Sequence, residues 1–219
     1  MAVADAKYRF LLTDIGAPGR ISDGGVLQRS GFPAHLAKTF PSEQQKLPGT
    51  NIDVNHYIVG DPAFPISSNL MRPFSGRNLP YTQRIFNYRL CRARRVVENT
   101  FGIAAARWRI WRKPMEMQTE MAIAVCKAVV VLHNFAMAEE STYNPPFFAD
   151  SIANGTVKPG QWRQDPEKNE LFEQLPKRND KKYQKDWPSR MRSTLAYYFI
   201  GKGSVPWQHS MVTAPAAHN

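Results

Sequence analysis

Asp61 and Glu98 are the two carboxylates in this sequence best placed to do chemistry. Asp61 follows the apolar run from His56 to Val59 and then Gly60, with Pro62 next, so it is expected just past the C-terminal end of a short strand, fixed in a turn. Carboxylates at strand ends face the crevice in which α/β folds bind ligands. Glu98 falls inside a long helical pattern, one residue on from Val97 and so roughly 100° around the helix from the apolar stripe. That places it at the border of the buried face, near Cys91, Arg94, Gly102 and Ala105, where small neighbours leave room for a substrate or an ion. One carboxylate from a strand end and one from a packed helix can share Mg²⁺, which takes oxygen ligands and is commonly held by one or two carboxylates plus phosphate oxygens. Two such ions activate a water and stabilise the leaving oxygen in phosphodiester cleavage. The plainer alternative makes Glu98 an ion-pair partner of Arg94 or Arg95 one turn back, and Asp61 a turn residue. By spacing alone the plainer alternative is the commoner fate.

The charge balance points to polyanions. There are 29 Lys and Arg against 18 Asp and Glu, a net charge of +11, and such a field attracts nucleic acid. Arginines crowd the stretch from Arg84 to Arg112, either as phosphate contacts or as a solvated helix face. His133 beside Asn134 could ligate a metal, but a histidine hydrogen-bonded within a helical core is the commoner case. Trp108 and Trp111 fall on the apolar stripe, where packing is favoured over base stacking. His35 and His56 have no partners at ligand spacing. Cys91 and Cys126 are expected as two buried thiols rather than a disulfide or metal site.

The elements that must position these residues follow from pattern. Lys7 to Thr13 reads as a strand ending at Asp14, and Gly16, Pro18 and Gly19 then enforce a loop. Ser22 and Asp23 cap a short helix through Val26, Leu27 and Phe32. Residues 40–55 read as a loop and His56 to Val59 as a strand. Prolines 62, 65, 73 and 80 keep the next stretch irregular. A long helix begins near Thr82, with Phe86, Leu90, Ala93, Val97, Phe101, Ala104 and Trp108 at three- and four-residue steps, and Pro114 ends it. A second helix spans Thr119 to Ala138, apolar on most sides and so expected to be central. Lys127, His133 and Asn134 interrupt it, so it reads as a buried helix, and no membrane segment is expected. No secretory leader is visible. Residues 144–185, rich in Pro, Gly, Asn and charge, read as an extended arm. A short helix follows from Pro188 to Phe199 with Met191, Leu195 and Tyr198 on one face, and residues 210–219 are expected to fray. The order indicates a mixed α/β fold, a core over residues 1–140 and an extended C-terminal arm over 141–219.

Several strings, taken in order, resemble the PIF/Harbinger group of DDE transposases and their domesticated nuclease relatives. They include Asp14-Ile-Gly-Ala-Pro-Gly19, Val59-Gly-Asp-Pro-Ala-Phe-Pro65, Arg84-Ile-Phe-Asn-Tyr-Arg-Leu90, Arg94-Arg-Val-Val-Glu-Asn99, Leu132-His-Asn-Phe135 and Gly203-Ser-Val-Pro-Trp-Gln208. Each is weak alone, but the ordered set is specific and covers nearly the whole chain. The resemblance implies an RNase H-like core whose acids hold two divalent ions, Mg²⁺ or Mn²⁺, and cut DNA. Asp61 matches the second acid and Glu98 the third. Asp14 is a candidate first acid by motif, though it ends what resembles the third strand, nearer the sheet edge than the central first strand that bears that acid. The family's Asp-Gly-Thr-His-like first-strand string does not occur here, which implies a core lacking its first strand at the N-terminus. The resemblance favours phosphate contacts for Arg84, Arg94, Arg95 and Arg109, a nuclear location, and a Myb/SANT-like DNA-binding partner. The competing reading is a truncated or domesticated protein that no longer cleaves but still binds DNA or a partner.

Overall fold

The structure, a computed structural model, describes residues 1–139, 149, 151–153, 156–160 and 186–213. Its strands are β1 (Ala2–Ala4), β2 (Phe10–Thr13), β3 (Gln45–Lys46), β4 (Asp53–Val54), β5 (Ile58–Val59), β6 (Leu70–Met71), β7 (Ser151–Ala153) and β8 (Thr156–Lys158). Its α-helices are α1 (Asp23–Arg29), α2 (Phe32–Thr39), α3 (Tyr81–Arg107), α4 (Thr119–Ala138), α5 (Asp186–Ile200) and α6 (Gln208–Thr213). Among the described residues, helices and four two-stranded sheets make a mixed α/β composition. The chain forms two units interleaved in sequence. The first is Met1–Ser22 with Arg95–Leu175, and the second is Asp23–Arg94 with Pro176–Asn219.

In the first unit β1 and β2 form an antiparallel hairpin with Val3 opposite Leu12. Asp5 builds the turn: its Oδ1 accepts the N–H groups of Lys7 and Arg9, and its Oδ2 accepts Arg9 Nε, each at 2.9 Å. Burial pushes the Asp5 carboxyl up, but the hydrogen bonds from Arg9 and Lys7 outweigh it and hold the group below its ordinary value. The turn leaves Tyr8 at φ 60°, so the strand expected from Lys7 begins only at Phe10.

Phe10 is 4% exposed and sets its ring edge-on to Phe101, Trp111 and His133. The neighbouring helix α4 grips the same strand. The Asn134 side chain donates to the Phe10 carbonyl and accepts the Phe10 N–H, both at 2.8 Å, and His133 Nε2 donates to the Tyr8 carbonyl at 2.7 Å. These bonds satisfy polar groups that burial would otherwise strand. Burial, reinforced by the charge of Arg107, lowers the His133 pKa despite the bond to Tyr8.

The expectation of a central α4 needs correcting. Only Val129, His133, Ala136 and Met137 are buried, while Met121 is 59%, Val131 66% and Phe135 67% exposed. Ala136 and Met137 pack with Ile103 of α3 and with Ala149, and His133 and Asn134 bond the β2 strand and the turn before it, which together cover one stripe of α4. Helix α4, at 20 residues and mean hydropathy 1.8, is also long and apolar enough by those measures to cross a membrane, contrary to the expectation drawn from its polar interruptions.

The second unit holds the main core of Met71, Phe86, Leu90, Met191, Leu195 and Ala196. Helix α5 carries Met191 and Leu195 inward, as its pattern predicts, at 5% and 1% exposure. The expected single helix after Asp23 is two. Ser30 interrupts it, its hydroxyl donating to the Leu27 carbonyl at 2.8 Å and accepting the Phe32 N–H at 3.3 Å. The expected loop over 40–55 contains the β3–β4 hairpin, which turns at Gly49 with φ 74°. Residues 210–213, expected to fray, complete α6, and residues 214–219 lie outside the described ones. The arm expected over 144–185 also lies largely outside them, apart from the β7–β8 hairpin and its neighbours. Cys91 is exposed and Cys126 half-buried, so neither is the buried thiol that its helical setting indicated.

Candidate functional site

Strands β5 and β6 run parallel, Ile58 opposite Leu70 and Val59 opposite Met71. Gly60 extends the pairing by donating to the Met71 carbonyl at 2.9 Å. A Cβ there would meet the Leu70 and Phe64 side chains at 3.1 Å, which explains the glycine at this position. Asp61 therefore stands at the C-terminal edge of a parallel pair, where ligand-binding acids of α/β folds stand. Its Oδ1 accepts the Ala63 N–H at 3.0 Å, and its backbone carbonyl accepts the Phe64 N–H at 3.1 Å. Arg72, just past β6, braces this loop by donating to the Pro62 and Phe64 carbonyls at 3.0 and 3.1 Å.

The other oxygen of Asp61 meets Arg94 of α3, with Nη1 at 3.2 Å from Oδ2. The pair is partly open to solvent, Arg94 at 31% and Asp61 at 40% side-chain exposure. Asp61 is thus at once a turn residue, as the plainer reading has it, and an ion-pair partner of Arg94. Glu98 belongs to the first unit and is half-buried on α3, next to the buried Asn99 and Thr100. Gly102 and Ala105, expected to leave room beside it, are themselves packed inside. Asp14 follows β2, half-buried, its backbone N–H donating to the Met1 carbonyl at 2.8 Å and its carbonyl accepting the N-terminal ammonium at 2.7 Å.

Oxygen donors of this kind suit a hard divalent cation such as Mg²⁺, so the type of ligand fits. Among the described residues, however, no three His, Cys, Asp or Glu side chains stand together closely enough to hold a metal ion.

The arginines have diverse fates. Arg84 donates to the Val212 carbonyl, and Arg94 to Asp61. Arg95 buries its Nη1 with no acceptor among the described residues, and Arg109 is exposed in a short 3-10 turn, Arg109–Arg112. Arg89 and Arg92 stack around Trp207 from the C-terminal segment.

Sequence reasoning gave no role to Asn87, and weighed Asn134 only as a neighbour of His133, yet these two asparagines organise the elements around them. Asn87 of α3 clamps the Phe74 backbone, accepting its N–H at 2.8 Å and donating to its carbonyl at 2.9 Å, as Asn134 does with Phe10. The available signal is an amide on the inner face of an apolar helix, which must find a partner there. The same geometry answers the question of His133 and Asn134: both bond strand backbone.

The sequence model of a family described as DDE superfamily endonuclease matches residues 1–134. The protein named "Protein ALP1-like" of Arabidopsis thaliana is 33% identical over 144 residues, 64% of this chain and 35% of that protein. The chain thus spans about a third of the length of this curated relative. No solved structure matches it.

Proposed function

This chain belongs to the DDE superfamily endonuclease family, and from that membership we propose that it is the core of a DNA endonuclease or transposase that hydrolyses phosphodiester bonds. The observation that carries this reading is Asp61: a half-exposed carboxylate at the C-terminal edge of a parallel strand pair, oriented by Arg94 at 3.2 Å. An RNase H-like core is the fold that the family resemblance implies for this reading, and a mixed composition of helices and small sheets is compatible with it.

In this reading Asp61 and Glu98 would hold Mg²⁺ or Mn²⁺, which when bound supplies an activated water and charge stabilisation at the leaving oxygen. The chain's own residues do the rest. The Ala63 N–H and Arg94 fix the Asp61 carboxylate. Arg94, drawn toward a substrate phosphate, would serve both the acid and the DNA. Arg84, Arg95 and Arg109 would add backbone contacts that position without reading sequence. A Myb/SANT-like partner would supply sequence recognition, and the setting would be the nucleus. Asp14 is the weaker candidate for a further acid.

One observation favours a second reading. Asp61 already has a cationic partner in Arg94, which suits a DNA-binding protein that does not cleave. Nicking of supercoiled DNA in Mg²⁺ or Mn²⁺ separates the two. Asp61→Asn and Glu98→Gln should each reduce nicking by at least about 100-fold, more than loss of an outer-shell partner usually costs. Salt-sensitive DNA binding by the wild type without any metal-dependent nicking would establish the second reading instead.

A further inference from the structure

The segment Gly203–Gln208, singled out by motif but given no role so far, shapes a cationic cluster in the second unit. Between Tyr81 and Arg94, α3 carries Arg84, Arg89, Arg92 and Arg94 and no acidic residue. Arg84 and Arg94 are engaged as described. Arg89 is also committed: Nη1 donates to the Gly203 carbonyl at 3.2 Å and to Gln208 Oε1 at 3.0 Å, and its guanidinium lies 4.7 Å from the Phe199 ring centre. Gln208, wholly buried, is fixed in turn by donating to the Phe199 carbonyl and to Ser204 Oγ.

Arg92 differs. Its guanidinium lies 4.2 Å from the centre of the Trp207 ring, and one nitrogen reaches the Tyr88 hydroxyl at 3.4 Å. Cation–π attraction of this kind holds the guanidinium over the ring while the ring itself accepts no conventional hydrogen bond from its N–H fork. The residue is half-exposed. Among the described residues no carboxylate lies within 4.0 Å of Arg89 or Arg92. Two like charges one helical turn apart therefore stand around one indole, with no carboxylate partner among the described residues. Burial first, and the neighbouring Arg92 second, push the Arg89 pKa down, with Tyr198, Tyr88 and Tyr57 opposing.

We propose that Arg92, held over the Trp207 ring and backed by Arg89, forms a phosphate-binding clasp for the DNA backbone. This rests on the reading of the chain as a DNA-acting protein. A planar, pre-oriented guanidinium matches a phosphate by paired N–H···O bonds, and an incoming phosphate also neutralises the Arg89–Arg92 repulsion. A clasp that merely ties down the C-terminal segment would need no second cation.

The test is the salt dependence of duplex DNA binding, followed by fluorescence anisotropy, for the wild type, Arg92→Gln, Arg92→Lys and, as a control, Lys38→Gln on α2. Losing one phosphate contact lowers the magnitude of the slope of log K against log salt by about 0.9. Arg92→Gln should show that loss, with roughly fivefold to tenfold weaker binding near 0.1 M salt. Lys38→Gln should keep the wild-type slope. Arg92→Lys keeps the charge without the fork, so it should keep the slope and bind about threefold more weakly. A folded Arg92→Gln with the wild-type slope overturns the proposal, as does an equal slope loss in Lys38→Gln. If Arg92→Gln does not fold, undiminished affinity in Arg92→Lys overturns it. Metal-dependent nicking that persists alongside such a result leaves the nuclease reading standing. A wild type that binds no DNA even at low salt removes both.

Discussion

Asp61 and Asn134 show how little residue type says about role until the partner is known. Asp61 looks like a metal ligand by position, and in this structure it accepts one backbone N–H and one guanidinium. An ion pair as open to solvent as Asp61–Arg94 contributes at most about 1 kcal/mol, so its significance lies in orientation more than stability. Asn134 looks like a metal-site neighbour beside His133, yet it carries both backbone bonds of the buried Phe10. Replacing it by Ala leaves a buried N–H and a buried C=O unpaired, each costing about 1–3 kcal/mol. Asn134→Ala should therefore lower the unfolding free energy by about 2–6 kcal/mol, measured by denaturant titration; a loss below about 1 kcal/mol would show that water or another group replaces the amide.

At the scale of elements, the periodicity placed α4 to the residue, Thr119–Ala138, but gave it the wrong surroundings. An apolar sequence reports that a helix avoids water; it does not report how much partner surface the unit offers. Here one stripe of α4 is covered, Ala136 and Met137 packing with Ile103 of α3, and Val131 stays 66% exposed while Val129, two residues earlier, is 4% exposed. Val129→Ser should cost about 2–3 kcal/mol, as lost burial plus a poorly satisfied hydroxyl. Val131→Ser should stay within about 0.5 kcal/mol. Equal costs in thermal unfolding would mean that the outer face of α4 is covered. The broken helix at Ser30 and the late start of β2 have a common cause: side-chain oxygens of Ser30 and Asp5 bond nearby backbone N–H groups and so compete with the regular ladder.

For the molecule as a whole, a net charge of +11 sets the long-range field regardless of fold. If four phosphates are engaged, raising salt from 50 to 200 mM should weaken DNA binding on the order of 100-fold; a salt-independent affinity would place the contacts off the phosphates. The sequence by itself determined the charge, the two long helices, the family through its ordered motifs, and the placing of Asp61 at a strand end, because all of these depend on local pattern or on composition. Tertiary structure alone decided that the chain divides within α3 into two interleaved units, that Arg94 turns to Asp61, that Trp207 lies under Arg92, and that Asn87 and Asn134 clamp distant backbone. These contacts join residues 13 to 124 positions apart, and no periodicity along the chain encodes which distant group arrives beside a given side chain.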